Sequence, residues 1–416
     1  MISQSMPCPC AGTQICARVL ILHRAVELRS LAAGVVAAVA LATVAAGCAP
    51  VSSQFELHGS VPPPSESEAF DNALFQTVGA RPLRGHRWRL EVDGRVFGAI
   101  ADEVARARVS VNIVVYIWHS GEPSERLLDG LAKRDKRVAC RILVDPLGSP
   151  DFEKNVQPRL RALGCETRQF RPLLQHPIPE RNHRKIAVVD GRVGYVGGFG
   201  VRQEWVKASG SSDPEWHDIN LRVEGPAVGE LQRAFAQNWQ EAGGTLLPVE
   251  EFPHVDGEGD ARVAVVASSF GYVTLADRLM LLTIASAHKR LWIWNAYFVP
   301  DARMRDLLVA KAKQGVDVRV LAPGDKNDVL ASKVAQRRGY PALLAAGIRV
   351  FEYQPTMMHA KTVIVDDRLA VVGSINLDAL SLTRLEEDAV VVDDPELVTA
   401  LARQWDEDVK KCREVH

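Results

Sequence analysis

The chain has 416 residues, 47% hydrophobic and 24% charged, with a formal net charge of -1. That composition excludes a mostly disordered chain, a collagen-like chain and a disulfide-rich miniprotein, and the length fits one large or two ordinary domains. Near-zero net charge argues against a general nucleic-acid binder, which would be basic, but leaves room for a local basic pocket.

The first element in chain order is an uncharged stretch of small apolar residues, Leu31 to Ala46. Arg18, Arg24 and Arg29 precede it, and no Lys or Arg follows until Arg81. This positive-inside asymmetry predicts an N-terminus in the cytoplasm and an exported body. The stretch ends in Ala45-Ala46-Gly47-Cys48 and resembles a bacterial lipoprotein signal, with Ala45 where that pattern prefers Leu. The resemblance implies cleavage before Cys48 and lipidation of its thiol; the alternative is an uncleaved anchor. Either places the protein at a membrane surface in the cell envelope. The expected plan is a signal or anchor over 1–47 and a tether over 48–84 containing Pro62-Pro63-Pro64. No second apolar run of about 18 residues exists, so the body is not expected to span a membrane repeatedly.

Residues 96–200 and 271–376 then follow one plan. Each begins with an amphipathic helix: Phe97, Ile100, Ala101 and Val104 share a stripe, as do Leu275, Leu279, Leu282 and Ala285. Each continues with an apolar strand ending in aromatics, VNIVVYIW (111–118) and LWIWNAYF (291–298). Near-continuous apolarity suits a strand buried on both faces of an α/β sheet. A helix and a second strand follow, at 137–146 and 315–324. A further helix ends at Gly164 or Gly347, which look like helix C-caps before a third strand. The expected fold is α/β: two similar halves, 85–249 and 262–416, joined by a Gly-, Pro- and acid-rich linker over 250–261. They form one bilobed, pseudo-two-fold body with the site at their interface.

Each half closes on a hairpin, HRKIAVVDGRVGYVGGFG from His183 and HAKTVIVDDRLAVVGSIN from His359. Both fit His-x-Lys-x4-Asp-x6-Gly, giving His183, Lys185 and Asp190, then His359, Lys361 and Asp366. A His with any base and any acid at those spacings is expected by chance about 0.16 times per chain of this composition. Two copies at matched places in a duplication are therefore strong evidence. In extended backbone, residues i and i+2 share a face, so each His lies beside its Lys. Two imidazoles and two ammonium groups around one centre suit a phosphodiester. One His attacks phosphorus, the other protonates the leaving oxygen, and the lysines hold the non-bridging oxygens.

The hairpins resemble the HKD motifs of the phospholipase D superfamily, over roughly residues 85–410. Several stretches are similar to bacterial cardiolipin synthases: Gly197-Gly198, Tyr297-Phe298-Val299-Pro300-Asp301, Trp216-His217-Asp218, and Gly373-Ser374-Ile375-Asn376. The resemblance implies a phosphohistidine on His183 and acid/base work by His359. It implies phosphate contacts from Lys185, Lys361 and Asn376, with Ser374 and Gly198 beside the substrate. It further implies an acid behind each His: Glu387 for His359, and Asp218, with Glu204 second, for His183. Asp190 and Asp366 close the motifs as scaffold. No metal, cofactor or nucleic acid is implied; the substrate class is phospholipid, with phosphatidylglycerol as donor. Two departures bear on the substrate. Gly200 stands where the related synthases usually carry Asn, and Leu380 where an Arg is often found.

The alternatives are a phospholipase D-type hydrolase, an HKD nuclease or other phosphodiesterase, and a lipoprotein that only binds lipid head groups. Tyr116, Trp118, Tyr297 and Phe298 fit a lipid pocket or core packing equally. Arg181 and Arg184 fit a wider phosphate field or a solvated loop. His217 reads as structural rather than as a metal ligand. Export permits a Cys140–Cys165 disulfide, but buried free thiols pack as small apolar groups, and that reading is preferred.

Overall fold

Each buried strand starts from the apolar runs noted above, and β-branched residues fill both faces. The computed structural model describes residues 55–57, 62–65, 67–174, 180–207, 214–271 and 273–416. Leu31 to Ala46, Cys48 and the cysteines before it lie outside the described residues.

The first half contributes β1 (Leu83–Val92), β2 (Ser110–Val115), β3 (Ala139–Val144), β4 (Glu166–Gln169), β5 (Arg181–Asn182), β6 (Ile186–Val189), β7 (Val193–Gly197) and β8 (Ile219–Glu224). The second contributes β9 (Ala261–Ser268), β10 (Arg290–Asn295), β11 (Asp317–Pro323), β12 (Arg349–Tyr353), β13 (Lys361–Val365), β14 (Leu369–Gly373), β15 (Leu385–Asp393) and β16 (Cys412–Val415). They form one sheet in the order β16-β12-β11-β10-β13-β14-β15-β9-β1-β8-β7-β6-β2-β3-β4, with β5 pairing β15 off this path. Reading outward from the β9–β1 join, the second half repeats the first strand for strand, and β16 is the addition. In each half three parallel strands carry helical crossovers, and the motif hairpin, β6–β7 or β13–β14, lies antiparallel beside them.

Of the two joining strands, β9 carries an apolar run (263–267) but β1 does not. β1 reads LRGHRWRLEV, and its burial alternates rather than running continuously. Part of the expected tether is also regular structure. Ser67 caps a helix over Glu68–Val78, whose Phe70, Leu74 and Val78 pack on the Leu275–Ala285 helix. That cover explains why the latter helix is buried almost all round. Phe55, further back, is pinned to the second half: Arg303 Nη1 donates to its carbonyl at 2.5 Å and Arg278 lies over its ring. The expected linker docks too, because the buried Glu251 accepts from Asn112 and Arg141, each at 2.8 Å.

Cys140, on β3, and Cys165, just before β4, form a disulfide, against the preferred reading of free thiols. β3 and β4 are neighbouring parallel strands, with Arg141 paired to Glu166, so the residues just before that pair already face each other. Among the described residues no helix is long and apolar enough to cross a membrane. One core belongs to the first half and one to the second. A third crosses the join, packing Ile186, Val196 and Trp239 with Met358, Val390 and Trp405.

Candidate active site

The two motif aspartates serve the hairpins from the far end. Asp190 takes backbone N–H bonds from Arg108, Val109 and Ser110, and Asp366 takes them from His288, Lys289 and Arg290. Each carboxylate thus ties a hairpin turn to the start of the neighbouring parallel strand. Both residues hold positive φ, 56° and 50°, a conformation Asp tolerates better than most. They are scaffold in geometry and stand off the reacting centre.

His183 and His359 lie on the extended approach to β6 and β13, not within the strands. Both are buried, at 7% and 4% exposure. Lys185 Nζ donates to the His183 carbonyl at 2.6 Å, and Lys361 Nζ lies 2.8 Å from His359 Nδ1 and 3.0 Å from Nε2. An aromatic residue flanks each pair. Tyr116 meets His183 edge-on at 5.3 Å with Lys185 near its face, and Tyr297 stands in the same relation to His359 and Lys361. Trp118 and Phe298, by contrast, are core residues.

The acid partners are crossed relative to the expectation. His183 Nδ1 stands 3.0 Å from both oxygens of Glu387, a second-half residue. His359 Nδ1 stands 3.0 Å from the Gly198 carbonyl and 3.5 Å from Asp218 Oδ2, both in the first half. Glu387 was expected to serve His359, and Asp218 to serve His183. The expectation failed because it paired each acid within its own half. β15 and β8 flank the central β9–β1 join, and so each carries its acid toward the other half's histidine. Glu204 pairs instead with Arg202 at 2.6 Å.

The Gly198 carbonyl and the ionised carboxylates only accept, so they place the proton on Nδ1 of each ring; Nε2 of His183 is left open for chemistry, and Nε2 of His359 faces Lys361 Nζ at 3.0 Å. Electrostatics keep both rings neutral. Burial, then Lys185 and Lys361, hold His183 well below the usual imidazole range. Burial and Lys361 push His359 down to about 4, against the pull of Asp218. Burial also lowers Lys185 to about 8 and Lys361 to about 7. It raises Glu387 to about 7, although Lys185 and two serine hydroxyls oppose it. Burial alone would raise Asp218, but hydrogen bonding and charge from His359, with Lys361 and Trp205, leave it lowered.

The two sides differ in detail. Ser374, expected at the substrate, donates to Glu387 Oε2, and Ser381 donates to Oε1 at 2.5 Å. Ser374 therefore works behind the histidine. Gly198 has the same kind of duty: its carbonyl holds His359, and a side chain there would collide with the Asp218 carboxylate. Asn376 is buried with its Oδ1 unpartnered, an acceptor open to an alcohol hydroxyl; a phosphate oxygen would be met by its Nδ2 instead. At Gly200, the matching position, a Cβ would stand 3.0 Å from the Trp205 ring. Trp205 instead donates Nε1–H to Asp218 at 2.7 Å and packs against His359.

Arg181 and Arg184 are fully buried, not solvated. Arg184 is spent on the carbonyls of Ala234 and Ser268 and on Asn238. His217 is clamped between Asp93 and Asp408, each at 2.8 Å, and stacks on Tyr353. The clamp outweighs burial and raises it to about 10, so it is an imidazolium. Its carbonyl accepts from the His359 N–H at 2.6 Å, which ties the clamp to the reacting ring.

Sequence reasoning missed Trp205, Ser381 and Asp388, whose Oδ1 accepts from the Lys185 N–H. A signal was present: Glu386-Glu387-Asp388 runs straight into Ala389 and three valines. Three acids inside a buried strand need partners, and the partners are the site.

The family model described as "Cardiolipin synthase, PLD-like domain" matches residues 100–239 and 280–409, one segment per half. Cardiolipin synthase 1 of Bacillus anthracis is 33% identical over 374 residues, 85% of this chain and 72% of that protein. Cardiolipin synthase A of Pectobacterium atrosepticum is 30% identical over 367 residues, covering 84% and 75%. The crystal structure of phosphatidylserine synthase from Haemophilus influenzae Rd KW20 shares the fold, with a TM-score of 0.60 at 12% identity over 83% of this chain and 92% of that one. The duplicated sheet, the paired His-Lys motifs and these matches together place the chain in the cardiolipin synthase, phospholipase D-like family.

Proposed function

We propose that the protein is a phosphatidyltransferase that moves a phosphatidyl group between alcohols through a phosphohistidine, with phosphatidylglycerol as donor. The observation that carries this reading is the crossed pair of imidazoles, each oriented through Nδ1 by the opposite half and flanked by its own lysine. His183 Nε2 attacks phosphorus, and the bond from phosphorus to the glycerol oxygen breaks. The departing oxygen takes a proton that His359 Nε2 acquires from solvent when the phosphodiester binds. An acceptor hydroxyl then returns a proton to His359 as its oxygen bonds phosphorus and the phosphorus–nitrogen bond breaks. Lys185, Lys361 and Asn376 hold the non-bridging oxygens. Burial and Lys361 together hold His359 down; a bound phosphodiester offsets the Lys361 charge and adds its own negative charge, both of which favour that proton uptake.

His183 is the nucleophile in this reading because Glu387 and two serines hold it more firmly than Asp218 holds His359. The N-terminal segment is proposed as an export signal or anchor with Cys48 as the lipidated residue. Its support is the charge asymmetry around Leu31 to Ala46, and it would keep the cleft beside its lipid substrate. The test is incubation with phosphatidylglycerol vesicles and mass spectrometry of the lipids. Cardiolipin with free glycerol is expected; phosphatidic acid alone makes the protein a hydrolase, and an unchanged lipid pool with cleaved DNA sinks the lipid reading.

A further inference from the structure

A groove of about 520 Å³ runs across the junction of the halves beside His359. The first half supplies Trp216, and the second supplies Lys326, Asn327, Asp328 and Met357. The inner end is lined by neighbours of the His359 ring. Trp216 lies 5.6 Å from His359 and 4.5 Å from Trp205, while Asp328 accepts from the Tyr297 hydroxyl at 2.9 Å. Tyr297 in turn stands edge-on to His359.

The polar groups at this end have unspent capacity. Asn327 Oδ1 is used by the Val329 N–H, but its Nδ2 is buried without a partner. Asp328 is exposed and meets one hydroxyl, so its carboxylate can accept further bonds. A buried donor without a partner costs free energy until something fills it. One amide donor, one carboxylate acceptor and an indole face form a set that matches adjacent hydroxyls on a short carbon chain. The Asp328 carboxylate disfavours a second phosphate at this end, whereas Lys326, also lining the groove, suits an anionic group.

We propose that this groove is the acceptor subsite, taking a polyol group so that one hydroxyl lies at His359 while its neighbour is held by Asp328 and Asn327. This rests on the phosphatidyltransferase reading and deepens it: the groove decides between alcohol and water as the second substrate. A hydroxyl held there competes with water for the phosphohistidine, and transfer exceeds hydrolysis only while the polyol is bound. The polyol is a glycerol group, free or on a lipid.

Two assays on the full chain distinguish those sources. In one, phosphatidylglycerol vesicles are supplied with labelled free glycerol, and label entering the lipid is measured. In the other, vesicles alone are supplied, and cardiolipin is measured against phosphatidic acid. For Asp328→Asn and Asn327→Ala the ratio of transfer to hydrolysis is expected to fall about tenfold, the loss of one or two hydrogen bonds. Half-saturation by glycerol rises by a similar factor. A fall in both assays identifies a lipid-borne glycerol group, and a fall with free glycerol alone identifies a soluble polyol; either supports the subsite. A wild-type ratio in both variants and both assays overturns it, even though the transferase reading survives. If the wild-type protein releases no glycerol from phosphatidylglycerol, the transferase reading fails and takes this inference with it.

Discussion

The two halves of the reacting centre are built alike and finished differently. His183 faces a carboxylate held by two serines, in a part of the cleft closed by Tyr116. His359 faces a carbonyl and a more distant carboxylate, packs against two tryptophans and borders a groove. A firmly held ring suits a group that must form and release a bond to phosphorus along one line. A buried ring packed beside a groove suits proton traffic with alcohols that come and go. Duplication supplied two equal histidines, and the surroundings made them unequal.

The largest expected effect tests that inequality directly. His183→Ala and His359→Ala should each lower transfer by roughly 10⁴-fold or more. With a donor whose leaving group needs no proton, His359→Ala should still release one equivalent in a burst and trap a phosphorylated His183. A burst from His183→Ala and none from His359→Ala would reverse the assignment.

The crossed acids come next. Glu387→Gln and Asp218→Asn should each cost about 10²-fold, since each disturbs tautomer and orientation together. Because Glu387 serves His183, Glu387→Gln should slow formation of the phosphohistidine. Asp218→Asn should slow its breakdown. Rapid-quench measurement of the two steps separates them, and the opposite pattern would restore the uncrossed pairing.

The lysines set the pH response of the free enzyme. Lys361 titrates at about 7 and Lys185 at about 8, so kcat/KM should fall as pH rises through that window and the cations are lost. Lys361→Arg should lower the rate but move this alkaline limb upward, because the guanidinium stays charged. An unmoved limb would assign the titration elsewhere.

His217 concerns the join rather than the chemistry. Its folded value of about 10 lies above the ordinary 6.5. Its contribution to stability is therefore full below 6.5 and declines as pH rises through about 10. His217→Gln should cost ~3 kcal/mol at neutral pH by leaving buried Asp408 unpaired. It should also flatten the decline in denaturant midpoint between those pH values; an equally steep decline would clear His217 of it.

The smallest effect compares the halves away from the site. Where the first half has the Cys140–Cys165 disulfide, the second has Val318 and Ile348, both buried. Reduction of the disulfide should cost about 3 kcal/mol. The double replacement Cys140→Val with Cys165→Ile should recover part of that by packing alone, read as a thermal midpoint between oxidised and reduced protein.

Much of this was legible in the chain. Continuous apolar runs located β2 and β10, and the repeated spacing located both histidines and both lysines, because covalent geometry ties residue spacing to facing direction; Asn376, with Gly200 at the matching place, came from the family resemblance. β1 was hidden by Arg84, Arg87 and Arg89, since a strand with one wet face leaves a weaker trace than a doubly buried one. The crossing of Glu387 and Asp218 was invisible for another reason: it depends on which strands meet at the join, over 204 residues of separation for His183 and Glu387.

The sequence by itself determined the repeat, the α/β class, the hairpins and the residue types of the candidate site, since those follow from local periodicity and spacing. Only the tertiary structure decided which acid holds which histidine, which serine works behind the site, that Cys140 meets Cys165, and where a groove opens. Those are relations between chain segments brought together by one shared sheet, and no local pattern encodes the distance between them.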